Sequence, residues 1–116
     1  MIAFTDNLDV IDDELLIVRC SLYMIPKEEG GRHTPVTSDV AYRPNHNFGD
    51  ENNFNFHIGQ FDIPEGDKVF PGETKELAVR FLNVRGLREK LPIGKEWRIQ
   101  EGATLTGIAK VLSIET

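Results

Sequence analysis

Three histidines, one cysteine and several adjacent carboxylates are the side chains of this chain best suited to chemistry, and their spacing argues against most of it. His33, His46 and His57 stand 13 and 11 residues apart, which fits no common zinc-ligand pattern. His46-Asn47 with Asp50-Glu51 nearby offers at most a weak cation site, and a solvated polar loop explains the same residues. Asp12-Asp13, Glu28-Glu29 and Asp50-Glu51 are neighbours in sequence. On a strand, neighbours face opposite sides, so none reads as an acid/base pair. Ser21, Ser38 and Ser113 sit in no nucleophile elbow. Cys20, the sole cysteine, excludes an internal disulfide, and its apolar surroundings suit a buried inert thiol. No GxxxxGK[ST] loop is present, so the chain carries no phosphate cradle of that type. The reading is of a non-enzyme with no cofactor and no metal, whose function rests on surfaces.

Those surfaces need a scaffold, and the pattern of the chain describes one. The 116 residues suffice for one domain with one modest core. Glu14 to Ile25 alternates, with Val18, Cys20 and Leu22 on one side and Arg19, Ser21 and Tyr23 on the other, the period of a strand with one dry face. Pro26 ends it, and a long loop-rich stretch runs from Lys27 to about Asn53. Phe54, Phe56 and Ile58 then alternate with polar residues, and Phe61 and Ile63 continue in the opposite phase, which a bulge near Gly59 would explain. Thr74 to Leu82 turns Leu77, Val79 and Phe81 inward. A helical turn is expected around Leu87 to Leu91, a strand with Trp97 and Ile99 on one face at Glu96 to Gln100, and a closing strand from Thr104 to Ile114. Short strands, regular turn residues and no sustained helical period predict an all-β fold, a closed antiparallel six-stranded barrel with Greek-key-like connections.

Charge is unevenly placed. The net charge is −6, and residues 1–14 hold Asp6, Asp9, Asp12, Asp13 and Glu14 with no basic side chain. Residues 1–13 read as an acidic leader, in which Ile2, Phe4, Leu8, Val10 and Ile11 would let part pack on the barrel, and residues 14–116 as the barrel itself. The chain has neither a signal peptide nor a long apolar run, so a cytoplasmic location away from membranes is expected. Overall acidity opposes non-specific nucleic-acid binding. Against that trend, Arg80, Arg85, Arg88, Lys90, Lys95 and Arg98 outnumber Glu89 and Glu96 in one stretch.

The most distinctive string is Lys27 to Pro35, KEEGGRHTP, followed by Tyr42-Arg43-Pro44. Gly30 and Gly31 suit a sharp reversal at positive φ, and Pro35 pushes Thr34 into extended geometry. The string, with Ile63-Pro64-Glu65-Gly66, Val69-Phe70-Pro71-Gly72-Glu73 and Trp97-Arg98-Ile99-Gln100-Glu101-Gly102 in the same order, resembles the C-terminal β-barrel domain of bacterial elongation factor Tu over Cys20 to Ile114. The resemblance implies that barrel as the fold, here as a stand-alone chain without the GTPase domain. It also implies a role for the loop, which in the family lies against the nucleotide-binding domain. The matching protein-binding positions are Glu29, Gly30, Gly31, Arg32, His33, Thr34 and Pro35, with Trp97 and Arg98 nearby by analogy. The expected function is a non-catalytic interaction module, a regulator, decoy or immunity-type protein, whose partner is a GTPase or another translation-related protein. A plainer reading has Arg32 and Thr34 only holding the loop in shape.

RNA is the second choice. The family barrel touches the T-stem of aminoacyl-tRNA, which would put Arg80, Arg85, Arg88, Lys90 and Arg98 on phosphates. This chain departs from the family there: Glu101-Gly102 is followed by Ala103-Thr104 where a glycine and a basic residue are common. Phe48, Phe54 and Phe56 could stack on bases, but alternate aromatic positions of a strand more often belong to a core.

Overall fold

The computed structural model describes residues 15–115, so the acidic leader and Thr116 lie outside the described residues. Eight strands form: β1 (Leu16–Met24), β2 (Val36–Thr37), β3 (Asn45–Asn47), β4 (His57–Asp62), β5 (Lys68–Val69), β6 (Thr74–Phe81), β7 (Glu96–Glu101) and β8 (Thr104–Ile114). Six of them close into an antiparallel barrel in the order β1-β6-β4-β3-β7-β8, with β8 returning to β1. β2 and β5 make a separate two-stranded ribbon. Closure leaves the barrel no free edge strand along which a second sheet could grow. Among the described residues there is no α-helix, and no helix long and apolar enough to cross a membrane.

Alternation places the core as expected on β1, β6 and β7. Val18, Cys20 and Leu22 point inward with Leu77, Val79 and Phe81, and Trp97 and Ile99 of β7 belong to the same core. Burial pushes the Cys20 thiol up to about 12, so it is an inert core group. The expected helical turn is a short 3-10 turn at Arg88–Lys90, flanked by the buried Leu87 and Leu91.

β4 departs from expectation. Gly59 and Phe61 face inward, while Phe54 is 75% exposed and Ile58 56% exposed. The β4–β6 register runs unbroken from Gly59↔Phe81 to Asp62↔Ala78, so there is no bulge at Gly59. The register slips instead between Ile99 and Gln100 against β8, and between Arg19 and Cys20 against β8. His46 is the reason a glycine occupies an inward position. A Cβ on Gly59 would stand 2.8 Å from the Phe81 ring and 3.0 Å from His46 Nε2. The imidazole of β3 thus fills the space that a β4 side chain would otherwise take.

The register also defines the two ends of the barrel. At one, Leu16 pairs with Phe81 and the Leu82 N–H donates to Ile58 O (3.0 Å). At the other, Met24 pairs with Gly107, and its N–H and C=O bond Glu73 and Gly72 in the turn that follows the β2–β5 ribbon.

Candidate functional site

The Lys27–Pro35 loop leaves β1 at the Met24 end. Pro26 starts it, and a 3-10 turn over Lys27–Glu29 is capped by Gly30 in the left-handed region at φ 97°. Gly31 does not share that conformation; the expected positive φ is confined to Gly30. Gly31 is needed for a different reason, because a Cβ there would lie 1.9 Å from the Ile25 carbonyl oxygen. Pro26 O accepts hydrogen bonds from both Glu29 N and Gly31 N at 3.0 Å, which folds the loop back on its own stem.

Arg32 fixes the second half. Its Nε donates to Thr34 O (3.1 Å) and its Nη2 to Thr34 Oγ1 (3.2 Å), so the side chain clips the loop as a shape-holding residue should. Its Nη1 reaches Glu101 Oε2 at 2.8 Å, at the end of β7. The same carboxylate oxygen accepts from Tyr42 Oη at 2.8 Å, and Tyr42 Oη also meets Thr106 Oγ1 at 3.2 Å. The guanidinium sits 5.6 Å above the Tyr42 ring centre, close enough for a cation–π contribution. Burial pushes the Tyr42 phenol well above its ordinary value, so it stays a neutral donor. A charged, planar fork held by a carboxylate and an aromatic face is a stiff support. His33 and Thr34 are left exposed on top of it, and Pro35 is half-buried.

Beside the loop runs a groove of about 400 Å³ lined by Arg32, Val36, Val40, Tyr42, Arg43 and Pro44. Val40 is 74% exposed at its rim, and Arg43 is held by Gln60 Oε1 at 2.7 Å. Glu101 also lines the groove and is paired with Arg32, so the site is concave and mixed apolar and polar, with Arg43 as its other cation. It contains no nucleophile–base pair.

Glu101 and Tyr42 tie the loop to β7 and β8, and sequence reasoning did not single out either as a site residue. Tyr42 was visible within Tyr-Arg-Pro and Glu101 within Glu-Gly. Neither motif signals that the two meet on one arginine 69 positions away from the carboxylate. We expect Glu101→Ala to cost about 1–2 kcal/mol, discounted for the partial exposure of the pair, and Glu101→Gln less because Tyr42 keeps an acceptor. Thermal unfolding and faster amide exchange at Arg32–Thr34 would show it; unchanged exchange would mean that the loop does not depend on this link.

Trp97 is not available to a partner. It is 2% exposed and donates from Nε1 to His46 Nδ1 at 3.0 Å inside the core. Its expected place beside the loop is taken by Glu101, four residues on. Arg98 is half-buried on the outer face and bonds Gln100 Oε1 at 3.2 Å. Gln100 in turn accepts from Asn47, whose amide ties down the 48–53 loop through Asp50 O and Gly49 N.

The five cations expected on phosphates do not form one stripe. β6 and β7 stand three places apart in a six-stranded ring, so Arg80 and Arg98, both on outward positions, face opposite directions. Arg80 is paired with Asp62 at 2.9 Å. Arg85 and Lys90 do share a cleft at the Leu16 end, and Arg88 is exposed on the neighbouring 3-10 turn. Of the histidines, His46 is buried and hydrogen-bonded, His57 contacts Lys90 Nζ at 3.1 Å, and His33 stands on the loop at the far end. His46 and His57 are opposite each other in the β3–β4 register, yet one ring enters the core and the other meets the rim lysine. Among the described residues no cluster of three metal-ligating side chains occurs.

No protein-family model matches the chain.

Proposed function

We propose that this chain is a non-catalytic binding module of the elongation factor Tu C-terminal-barrel type, which docks a protein partner through the Lys27–Pro35 loop and the adjoining groove. The partner that its sequence resemblance singles out is a guanine-nucleotide-binding domain of a translational GTPase, met in the cytoplasm. Regulator, decoy and immunity-type roles all use such a contact. One observation carries the reading: Arg32 is spent on Thr34, Glu101 and the Tyr42 face, so the loop is held in shape while the His33 side chain stands exposed beside that clip. Pre-organisation of this kind lowers the entropic cost of association.

The test is calorimetry of the full chain against the isolated nucleotide-binding domain of elongation factor Tu, in both nucleotide states. The expected result is a measurable affinity that His33→Glu weakens at least tenfold without changing thermal stability, since that side chain is exposed. Absence of heat in both nucleotide states would remove this partner from consideration. The RNA reading has less support, because Arg80 and Arg98 lie on opposite walls and Arg80 is neutralised by Asp62. A contiguous track of cations is what phosphate binding requires.

A further inference from the structure

The Leu16 end of the barrel carries a cleft that the loop reading leaves unused. Phe54 is 75% exposed and Ile58 56% exposed, and with the half-buried Phe56 and Val84 they line a space of about 500 Å³. Arg85 and Lys90 stand exposed in the same lining, which holds no Asp or Glu. Among the described residues neither cation has a carboxylate partner. Lys90 Nζ meets the His57 ring at 3.1 Å. Burial and the lysine itself hold that ring down at about 4 and hence neutral, so the ammonium charge is not offset. A second hollow of about 400 Å³ adjoins the first through Asn55 and Lys90, and adds Lys95 and Glu89. Three cations thus stand against one carboxylate along an otherwise apolar and amide-lined trough.

Both walls of the trough are anchored. Lys90 ends the 3-10 turn Arg88–Lys90, whose neighbours Leu87 and Leu91 are buried in the core. The Lys90 N–H bonds Leu87 O at 2.8 Å and the Leu87 N–H bonds Val84 O at 3.2 Å, which fixes the segment bearing both cations. The other wall is joined to it where the Leu82 N–H bonds Ile58 O at 3.0 Å. Phe54 meets Phe56 edge to face at 6.4 Å, so its exposed ring is braced. Among the described residues Asn55 is hydrogen-bonded through its main chain alone, to Asn53. Its side-chain amide, at the junction of the two hollows, is left open to a ligand.

An apolar lining rimmed by unpaired cations is complementary to a ligand that is apolar and acidic at once. A nucleic acid matches it poorly. Its affinity rests on a long track of phosphates, and the aliphatic Ile58, Leu82 and Val84 present no flat face on which a base stacks. A second copy would set the same cations against each other. We propose that the Phe54–Lys90 cleft docks a short segment of a partner protein in which hydrophobic side chains are flanked by Asp or Glu. The hydrophobic side chains rest on Phe54, Ile58 and Val84, the carboxylates pair with Arg85 and Lys90, and the Asn55 amide bonds the segment's backbone. The cleft lies at the opposite end from the Lys27–Pro35 loop, so the two docking readings stand or fall separately.

Nuclear magnetic resonance titration of the full chain with the synthetic peptide Glu-Asp-Leu-Phe-Asp-Glu tests this. The amide signals of Asn55, Ile58, Arg85 and Lys90 are expected to shift on one saturating curve, with a Kd of roughly 10–100 μM for so small a contact. Those of Arg32, His33 and Thr34 should stay in place. Phe54→Ala and Arg85→Glu should each weaken binding about tenfold or more without lowering the melting temperature, since both side chains are exposed. A peptide with serine in place of its leucine and phenylalanine should not bind, nor should Lys-Lys-Leu-Phe-Lys-Lys. The double variant Arg85→Glu, Lys90→Glu should take up that lysine peptide instead, an exchange that a purely structural role of the two cations does not produce. Absence of shifts with the acidic peptide at about 1 mM, or equal shifts at both ends of the barrel, would overturn the proposal. So would tighter binding of an oligouridylate than of the peptide, or self-association in sedimentation that Phe54→Ala abolishes.

Discussion

Replacing His46 by alanine is expected to lower the melting temperature by about 15–30 °C, corresponding to roughly 4 kcal/mol. The imidazole is fully buried among Phe61, Phe81 and Trp97. The Trp97 indole can only donate, so Nδ1 of His46 is the acceptor, and Nε2–H donates to Gly59 O at 3.1 Å. Alanine would orphan a buried donor and a buried acceptor and leave a cavity that Gly59 cannot fill. That combination removes a large part of the roughly 5–15 kcal/mol that holds a domain of this size together. His46→Gln retains one acceptor and one donor and should lose less than half as much. If alanine and glutamine cost the same, the two hydrogen bonds contribute little.

The same residue sets an acid limit. Burial lowers the His46 pKa to about 4 from its ordinary 6.5, with a smaller contribution from His57. Protonation would also place an N–H against the Trp97 N–H. The unfolded chain therefore binds a proton more readily than the folded one between these values. The stabilisation is complete above pH 6.5 and is lost as the pH falls toward 4, amounting to about 3 kcal/mol across the window. His57 is lowered in the same direction, but it is half exposed, so its share is smaller. In urea titrations at pH 7 and pH 4.5, the His46→Gln variant should show a shallower loss than the parent. An equal slope in both would place the acid sensitivity elsewhere.

His46 also explains which parts of the fold the residue pattern disclosed. Leu77, Val79 and Phe81 alternate on one face of β6, and reading their side as the core was sufficient. The alternation of Phe54, Phe56 and Ile58 has the same form, yet Phe54 and Ile58 are exposed and Phe56 is half-buried; in β4 the inward positions fall to Gly59 and Phe61, because an imidazole from β3 fills the interior there and needs a glycine facing it. Periodicity reports that two faces differ; it does not report which is dry when a polar ring from another strand enters the core. The loop was legible as a motif, through its glycines and proline. Its anchor was not, since the Arg32–Glu101–Tyr42 junction joins three distant segments that only barrel closure brings together. The cation cluster looked continuous along the chain from Arg80 to Arg98, and barrel closure separates its ends.

Two adjacent glycines with different duties yield the sharpest contrast in the loop. Gly30 has the positive φ, but a Cβ there meets nothing within 4 Å. Gly30→Ala should therefore cost only the left-handed backbone penalty, about 1 kcal/mol. Gly31 has an ordinary φ but no room: its Cβ would overlap Ile25 O and lie 2.7 Å from the Ile25 carbonyl carbon. Both are backbone atoms, so no rotamer change relieves the contact. The turn must open, losing the Gly31 N–H bond to Pro26 O and straining Ile25, whose N–H is held by Thr106 O at 2.9 Å. We expect Gly31→Ala to cost about 3 kcal/mol, or roughly 10–20 °C in melting temperature. Because Arg32 follows directly, the displacement also drags its guanidinium off Glu101, and the docking proposed above for the loop should fail in this variant even at temperatures where the barrel stays folded. Equal destabilisation by Gly30→Ala and Gly31→Ala would show that backbone conformation, not close approach, is what the pair of glycines serves.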